Sequence, residues 1–152
     1  MVQQTQTRPS TMTEVLNRQV ANMGLLYVKL HNYHWFVKGE GFFTLHSKFE
    51  ELYDEITLHY DELAERLLAI GGKPVATMAE TISMSSLQEA SGNEQASAMV
   101  TQIINDFEQV AKEMKEGIEA AEQAGDQPTA DLLTGLRQSF EKHVWMLKAY
   151  NG

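Results

Sequence analysis

Residues 34–74 read HWFVKGEGFFTLHSKFEELYDEITLHYDELAERLLAIGGKP, and this stretch decides the fold. From Leu45 the apolar residues recur as Phe49, Leu52, Ile56, Tyr60, Leu63, Leu67 and Ile70. They step by three and four, the spacing of one face of an α-helix. Gly71, Gly72 and Pro74 stop the element. A second sector of the same helix has a different chemistry. With His46 at zero and 100° per residue, Thr57 falls at about 20°, Glu50 at about 40°, Asp61 at about 60°, Asp54 at about 80° and Glu65 at about 100°. One imidazole and four carboxylates thus run beside the apolar stripe. A solvated acidic face would account for them; so would a metal site.

His34 favours the metal. It ends the inward stripe of a preceding helix, where a lone imidazole is ordinarily a satisfied core histidine. A short turn containing Gly39 and Gly41 folds that helix back, so that His34 approaches His46. Asp61 and Glu65, four apart, share a face at the far end of the second helix. Two imidazoles and two carboxylates suit iron or another divalent first-row metal. On one helix, however, His46 and Asp61 are about 22 Å apart at 1.5 Å rise per residue. One ion cannot bridge that gap. Either the four residues do not share a site, or a second copy of the chain completes it. Antiparallel pairing about a two-fold axis brings the His pair of one chain to the carboxylate pair of the other, making two sites per dimer, and this is the reading adopted.

Outward from this stretch the periodicity stays helical. Leu16, Val20, Met23, Tyr27 and Leu30 form the stripe of the first helix, preceded by a capping box at Thr11-Met12-Thr13-Glu14. After a looser segment at 73–93, Thr77-Met78-Ala79-Glu80 caps a short connecting helix. Asn93-Glu94 starts a third long helix carrying Val100, Ile103, Phe107, Val110, Met114, Ile118 and Ala121, which Gly125 ends. Asp126-Gln127-Pro128 starts a fourth, with Leu133, Leu136, Phe140, Val144 and Leu147. No stretch alternates long enough to be a strand. The expectation is an all-α four-helix bundle with a short helix in the long crossover between helices two and three. Residues 1–10 form a short N-terminal tail, and 11–152 one domain.

The chain has 152 residues, 43% hydrophobic and 22% charged, without an apolar run long enough for a membrane span. The start MVQQTQTRPS lacks the pattern of a secretory signal, and there is no cysteine. A cytoplasmic home fits. The formal charge of −9 attracts cations and disfavours nucleic acid.

The pattern His34-Trp35, Gly39, Phe42, Leu45-His46, Phe49-Glu50, Tyr53, Asp61, Ala64-Glu65-Arg66 and Gly71-Gly72 resembles the signature of the Dps family, the mini-ferritins. The helical plan extends the likeness over residues 10–150. The resemblance implies a ferritin-like fold and a hollow dodecamer. It also implies a ferroxidase centre at each dimer interface, with His34 and His46 from one subunit and Asp61 and Glu65 from its mate. Such proteins oxidise ferrous iron, commonly with hydrogen peroxide, and store ferric mineral, which protects the cell from oxidative damage.

Further roles follow from that frame. Glu50, one turn after His46, would hold its ring. Glu62 is a candidate ligand for a second, weaker iron. Asp126 and Asp131 are candidates for an iron entry pore, although a helix N-cap explains Asp126 equally well. Trp35 is either a redox-active aromatic beside the site or a packed interface residue. His31, His59 and His143 read as surface or packing residues. Tyr53, Phe49 and the methionines read as core, and Trp145 as buried packing. No Glu lies three residues before any of the five His, unlike the intrachain di-iron centres of larger ferritins. The family's lysine-rich DNA-binding tails have no counterpart here: Arg8 is the only basic residue in the first thirteen. DNA binding is therefore not expected.

Overall fold

The computed structural model describes residues 11–152; the expected tail at 1–10, with Arg8, lies outside the described residues. Among the described residues there are five helices and no strand: α1 (Met12–Phe36), α2 (Phe42–Ala69), α3 (Met78–Met84), α4 (Ala96–Gln123) and α5 (Gln127–Asn151). The pairs α1–α2 and α4–α5 form two antiparallel hairpins, joined by packing of α1 on α4. The short α3 lies in the crossover and rests on α1.

Local chemistry sets the boundaries. Thr11 and Glu14 form the expected reciprocal capping box on α1, and Thr77 caps α3 by accepting from the Glu80 amide. The exits of α2 and α4 close in the same way. At the end of α2, Gly72 N–H donates to the Leu67 carbonyl and Gly71 N–H to that of Leu68; at the end of α4, Asp126 donates to Ala121 and Gly125 to Glu122. These paired bonds satisfy orphan carbonyls and require a left-handed residue, supplied by Gly71 (φ 90°) and Gly125 (φ 71°). Asp126 serves twice, because its side chain also caps α5 through the Thr129 amide.

The core runs along the bundle axis. Leu16, Val20, Met23, Leu26 and Leu30 of α1 are buried with Leu45, Phe49, Leu52, Ile56, Leu63 and Leu67 of α2. Each such side chain contributes about 1.5–3 kcal/mol on burial. The apolar stripe thus secures α2 without help from its acidic sector. Polar residues of α1 hold the crossover: Asn22 accepts from Ser85 Oγ and the Ser86 amide, and Lys29 donates to the Gln88 carbonyl.

Some expectations are corrected. Tyr27 is not inward; it is 44% exposed, because the buried stripe passes through Leu26 and Leu30, and Tyr27 lies one position to the side. The third long helix starts at Ala96, not Asn93. Glu94 instead accepts from the Ser91 and Gly92 amides and from Tyr33 Oη, which commits it to the turn before the helix. Trp145 is 66% exposed, since it sits a step of 100° past the half-buried Val144. Met78 is exposed and Tyr53 only half-buried, so neither is ordinary core.

Candidate metal centre

His34 lies in the last turn of α1 and His46 in the second turn of α2, and the turn between them bends at Gly39 (φ 102°). It is tightened by Tyr150, whose hydroxyl approaches Gly41 so closely that a Cβ there would overlap it. The result is an imidazole pair stacked at 3.7 Å between ring centroids and 14° between planes. Each Nδ1 meets the other residue's backbone carbonyl, His34 to His46 O at 2.6 Å and His46 to His34 O at 2.7 Å. A carbonyl only accepts, so both Nδ1 atoms carry a proton, and the neutral form of each ring has its lone pair on Nε2. Among the described residues no hydrogen bond engages either Nε2. A metal-ligating histidine is held in this way, with the far ring nitrogen bonded and the near one free.

The reciprocal bonds have a structural cause. Because α1 ends at Phe36, the His34 carbonyl is one of the four at a helix C-terminus that find no partner within the helix. The His46 ring supplies that partner. The ring-holding role expected of Glu50 is therefore taken by a backbone carbonyl.

At the other end of α2, Asp61 and Glu65 are exposed and adjacent. The Glu65 carboxyl is raised above its ordinary range by its hydrogen bond to Asp61 and by that neighbour's charge. Two carboxyl groups this close favour sharing a proton, and a cation between them would relieve the repulsion. Glu62, Glu50 and Asp54 are exposed along the same helix. Among the described residues of one chain, no three His or carboxylate groups converge on a point fit for an ion. The His pair and the carboxylate pair are thus apart within one chain, about 22 Å from each other along α2.

Asp126 accepts from the amide and hydroxyl of Thr129 and pairs with Arg66 at 2.8 Å. Those bonds hold its carboxyl below the usual range. Within the chain it is a capping and anchoring group, with both oxygens hydrogen-bonded. Asp131 remains on the surface, accepting from Gln127.

The other side of α2 faces α5. Glu55, about 180° from His46, accepts from His143 Nε2 at 2.5 Å and from Ser139. Beside it, burial lowers the His59 imidazole below its ordinary value. His59 and His143 thus belong to a packing seam. His31 stacks on Tyr53 at 3.7 Å, with Trp35 edge-on to it at 5.4 Å. The ring cluster around the His pair was not foreseen; the only trace in the sequence is that Tyr27, His31 and Tyr53 flank the two helix faces that carry the pair. Exposed Val28, Met78 and Ile82 line a surface cavity of about 420 Å³ between α1 and α3. No described helix is long and apolar enough to cross a membrane.

Comparison with known proteins agrees with this architecture. Residues 13–152 match the ferritin-like domain family model. The chain is 55% identical over 139 residues to general stress protein 20U of Bacillus subtilis, covering 91% of this chain and 96% of that protein. It is 56% identical over 137 residues to DNA protection during starvation protein 2 of Bacillus anthracis, covering 90% and 94%. The crystal structure of a Dps protein from Bacillus brevis superposes with a TM-score of 0.91 at 51% identity, covering 93% of this chain and 95% of that one.

Proposed function

Because the chain belongs to the Dps proteins of the ferritin-like family, we propose that it is a ferroxidase that oxidises ferrous iron, with hydrogen peroxide as the preferred oxidant, and stores the ferric product inside a hollow dodecamer. The observation that carries this reading is the locked imidazole pair, with both Nε2 lone pairs available, at the opposite end of α2 from an exposed carboxylate pair. A two-fold mate brings the ends together, so that His34 and His46 of one chain and Asp61 and Glu65 of the other hold the iron. The imidazoles donate as neutral ligands, and the carboxylates supply the negative charge that stabilises the ferric state. The exposed apolar residues of α1 and α3 fit such a chain-to-chain contact. Glu62 serves a second, weaker iron, and Asp126 and Asp131 remain candidates for the entry route.

The chemistry balances simply. Two ferrous ions each lose one electron, and peroxide with two protons becomes two waters. Consuming both reactants suppresses hydroxyl-radical formation. Protection of DNA is then chemical, in a cytoplasmic particle whose net charge does not favour the polyanion. The test is anaerobic addition of ferrous iron to the apo-protein followed by a peroxide pulse, with ferric absorbance and particle size recorded together. Rapid oxidation, with iron travelling on a roughly twelve-subunit particle, is expected. Replacing His34 and His46 with Ala abolishes the fast phase and leaves the particle intact. Unchanged kinetics in that variant would remove the site assignment.

A further inference from the structure

The two carbonyl bonds hold each imidazole at one nitrogen, and the stack fixes the spacing of the rings. Neither constraint stops the pair from sliding or tilting as a unit. The rings on either side of the pair do. Phe42 lies against the outer face of His46 at 5.0 Å and 24°. On the other side, Tyr53 stands edge-on to His34 at 5.4 Å and 90°. Tyr53 is itself backed by His31, stacked on it at 3.7 Å and 18°. His31 is tethered in turn by Nδ1 to the Tyr27 carbonyl at 2.6 Å, and the Tyr27 ring lies 4.4 Å from it. Five rings thus form one row, Phe42–His46–His34–Tyr53–His31, tied to the backbone at three of its members.

We propose that Tyr53, backed by His31, is a positioning residue that fixes the tilt of the His34–His46 pair and thereby the direction in which both Nε2 lone pairs converge on a metal. The inference rests on the two-histidine ligand reading above. Tyr53 acts by the edge of its ring, so its hydroxyl is dispensable for this role. Groups that orient metal-bound histidines typically change affinity by about 10- to 100-fold when removed. The role belongs to ring shape: Phe substitutes for Tyr53, and Leu does not.

The test uses the assembled apo-protein titrated with cobalt(II) alone, read by its visible ligand-field bands, with particle mass measured in parallel. Tyr53→Leu is expected to weaken binding by about 10-fold or more and to shift the bands, at unchanged mass. Tyr53→Phe is expected to restore both. Should Tyr53→Leu fail to assemble, His31→Leu removes the backing ring instead, and His31→Phe restores it. Wild-type affinity and wild-type bands in the Leu variants would overturn the proposal, as would a Tyr53→Phe protein that behaves like Tyr53→Leu. Wild-type protein whose cobalt bands do not depend on His34 and His46 would overturn the ligand reading and this proposal with it. Intact wild-type binding beside indifferent Leu variants would overturn this proposal alone.

Discussion

His34 and His46 hold each other through main-chain oxygens, whereas Asp61 and Glu65 press two negative charges together. The fold alone organises the first pair, and in the proposed site a bound cation would relieve the second. The sign of the Glu65 shift follows: its folded pKa is raised, so its contribution favours the folded state at low pH and is lost as pH rises through that value. At neutral pH, Glu65→Gln therefore leaves the apo-protein at least as thermostable as the wild type while removing the stabilisation by metal. For wild-type protein at a hundredfold excess of metal over Kd that stabilisation is about 2.7 kcal/mol. Calorimetry with and without cobalt(II) measures both; a Gln variant that is less stable without metal and still responds to it would contradict the assignment. A second prediction concerns Lys29 and Asp106, an ion pair at 2.7 Å with the ammonium buried. Burial pushes the Asp106 carboxyl up while Lys29 opposes it. Lys29→Met strands that carboxyl and costs about 3–5 kcal/mol, whereas Lys29→Met with Asp106→Leu costs less. Denaturant titration decides. The histidines and carboxylates were legible as side-chain types at helical spacing. The carbonyl partner of His46 was not, because a backbone atom leaves no letter in the sequence, and Glu50 at the next turn looked like the natural holder.

Helix ends were the most legible feature among the elements wherever a side chain makes the cap. Thr11, Thr77 and Asp126 announced their roles, and the glycines at 71 and 125 announced the exits. The start of α4 was misread because Glu94 followed an Asn and looked like a first-turn acid, whereas its carboxylate folds back on the preceding turn. Exposed aromatics such as Trp145 misled for a different reason: periodicity marks a stripe, but not how wide the neighbouring helix covers it. Two predictions belong here. Gly125→Ala places a Cβ in a left-handed residue and costs about 1–2 kcal/mol, visible as a lower Tm. Asp126→Ala loses a cap worth about 0.5–2 kcal/mol and frees Arg66 from α5. The folded pKa of Asp126 is depressed, so its stabilisation is present above the ordinary carboxylate value of 3.8 and disappears as pH falls through the lower folded one. The gap in stability between wild type and variant accordingly closes in acid. An equal gap at every pH would mean that the carboxylate charge contributes nothing.

For the whole molecule, the bundle and its crossover could be read from four apolar stripes and a loose segment, since burial of one face per helix is what a bundle requires. The apolar surface patch between α1 and α3 could not. Exposed Val28, Met78 and Ile82 look unremarkable in the sequence and acquire meaning only when α1 and α3 set them side by side.

The proposed division of the metal site between two chains, His34 and His46 from one and Asp61 and Glu65 from its mate, has a genetic corollary that tests it. A chain lacking His34 and His46 and a chain lacking Asp61 and Glu65 are each inactive alone, yet they are complementary alleles. When they pair, one interface inherits both lesions and the other inherits neither. Co-expressed in equal amounts with random pairing, the two dead proteins regain about a quarter of the wild-type centres. Metal-site titration of the mixed particle counts those centres, and two lesions in a site confined to one chain would never complement.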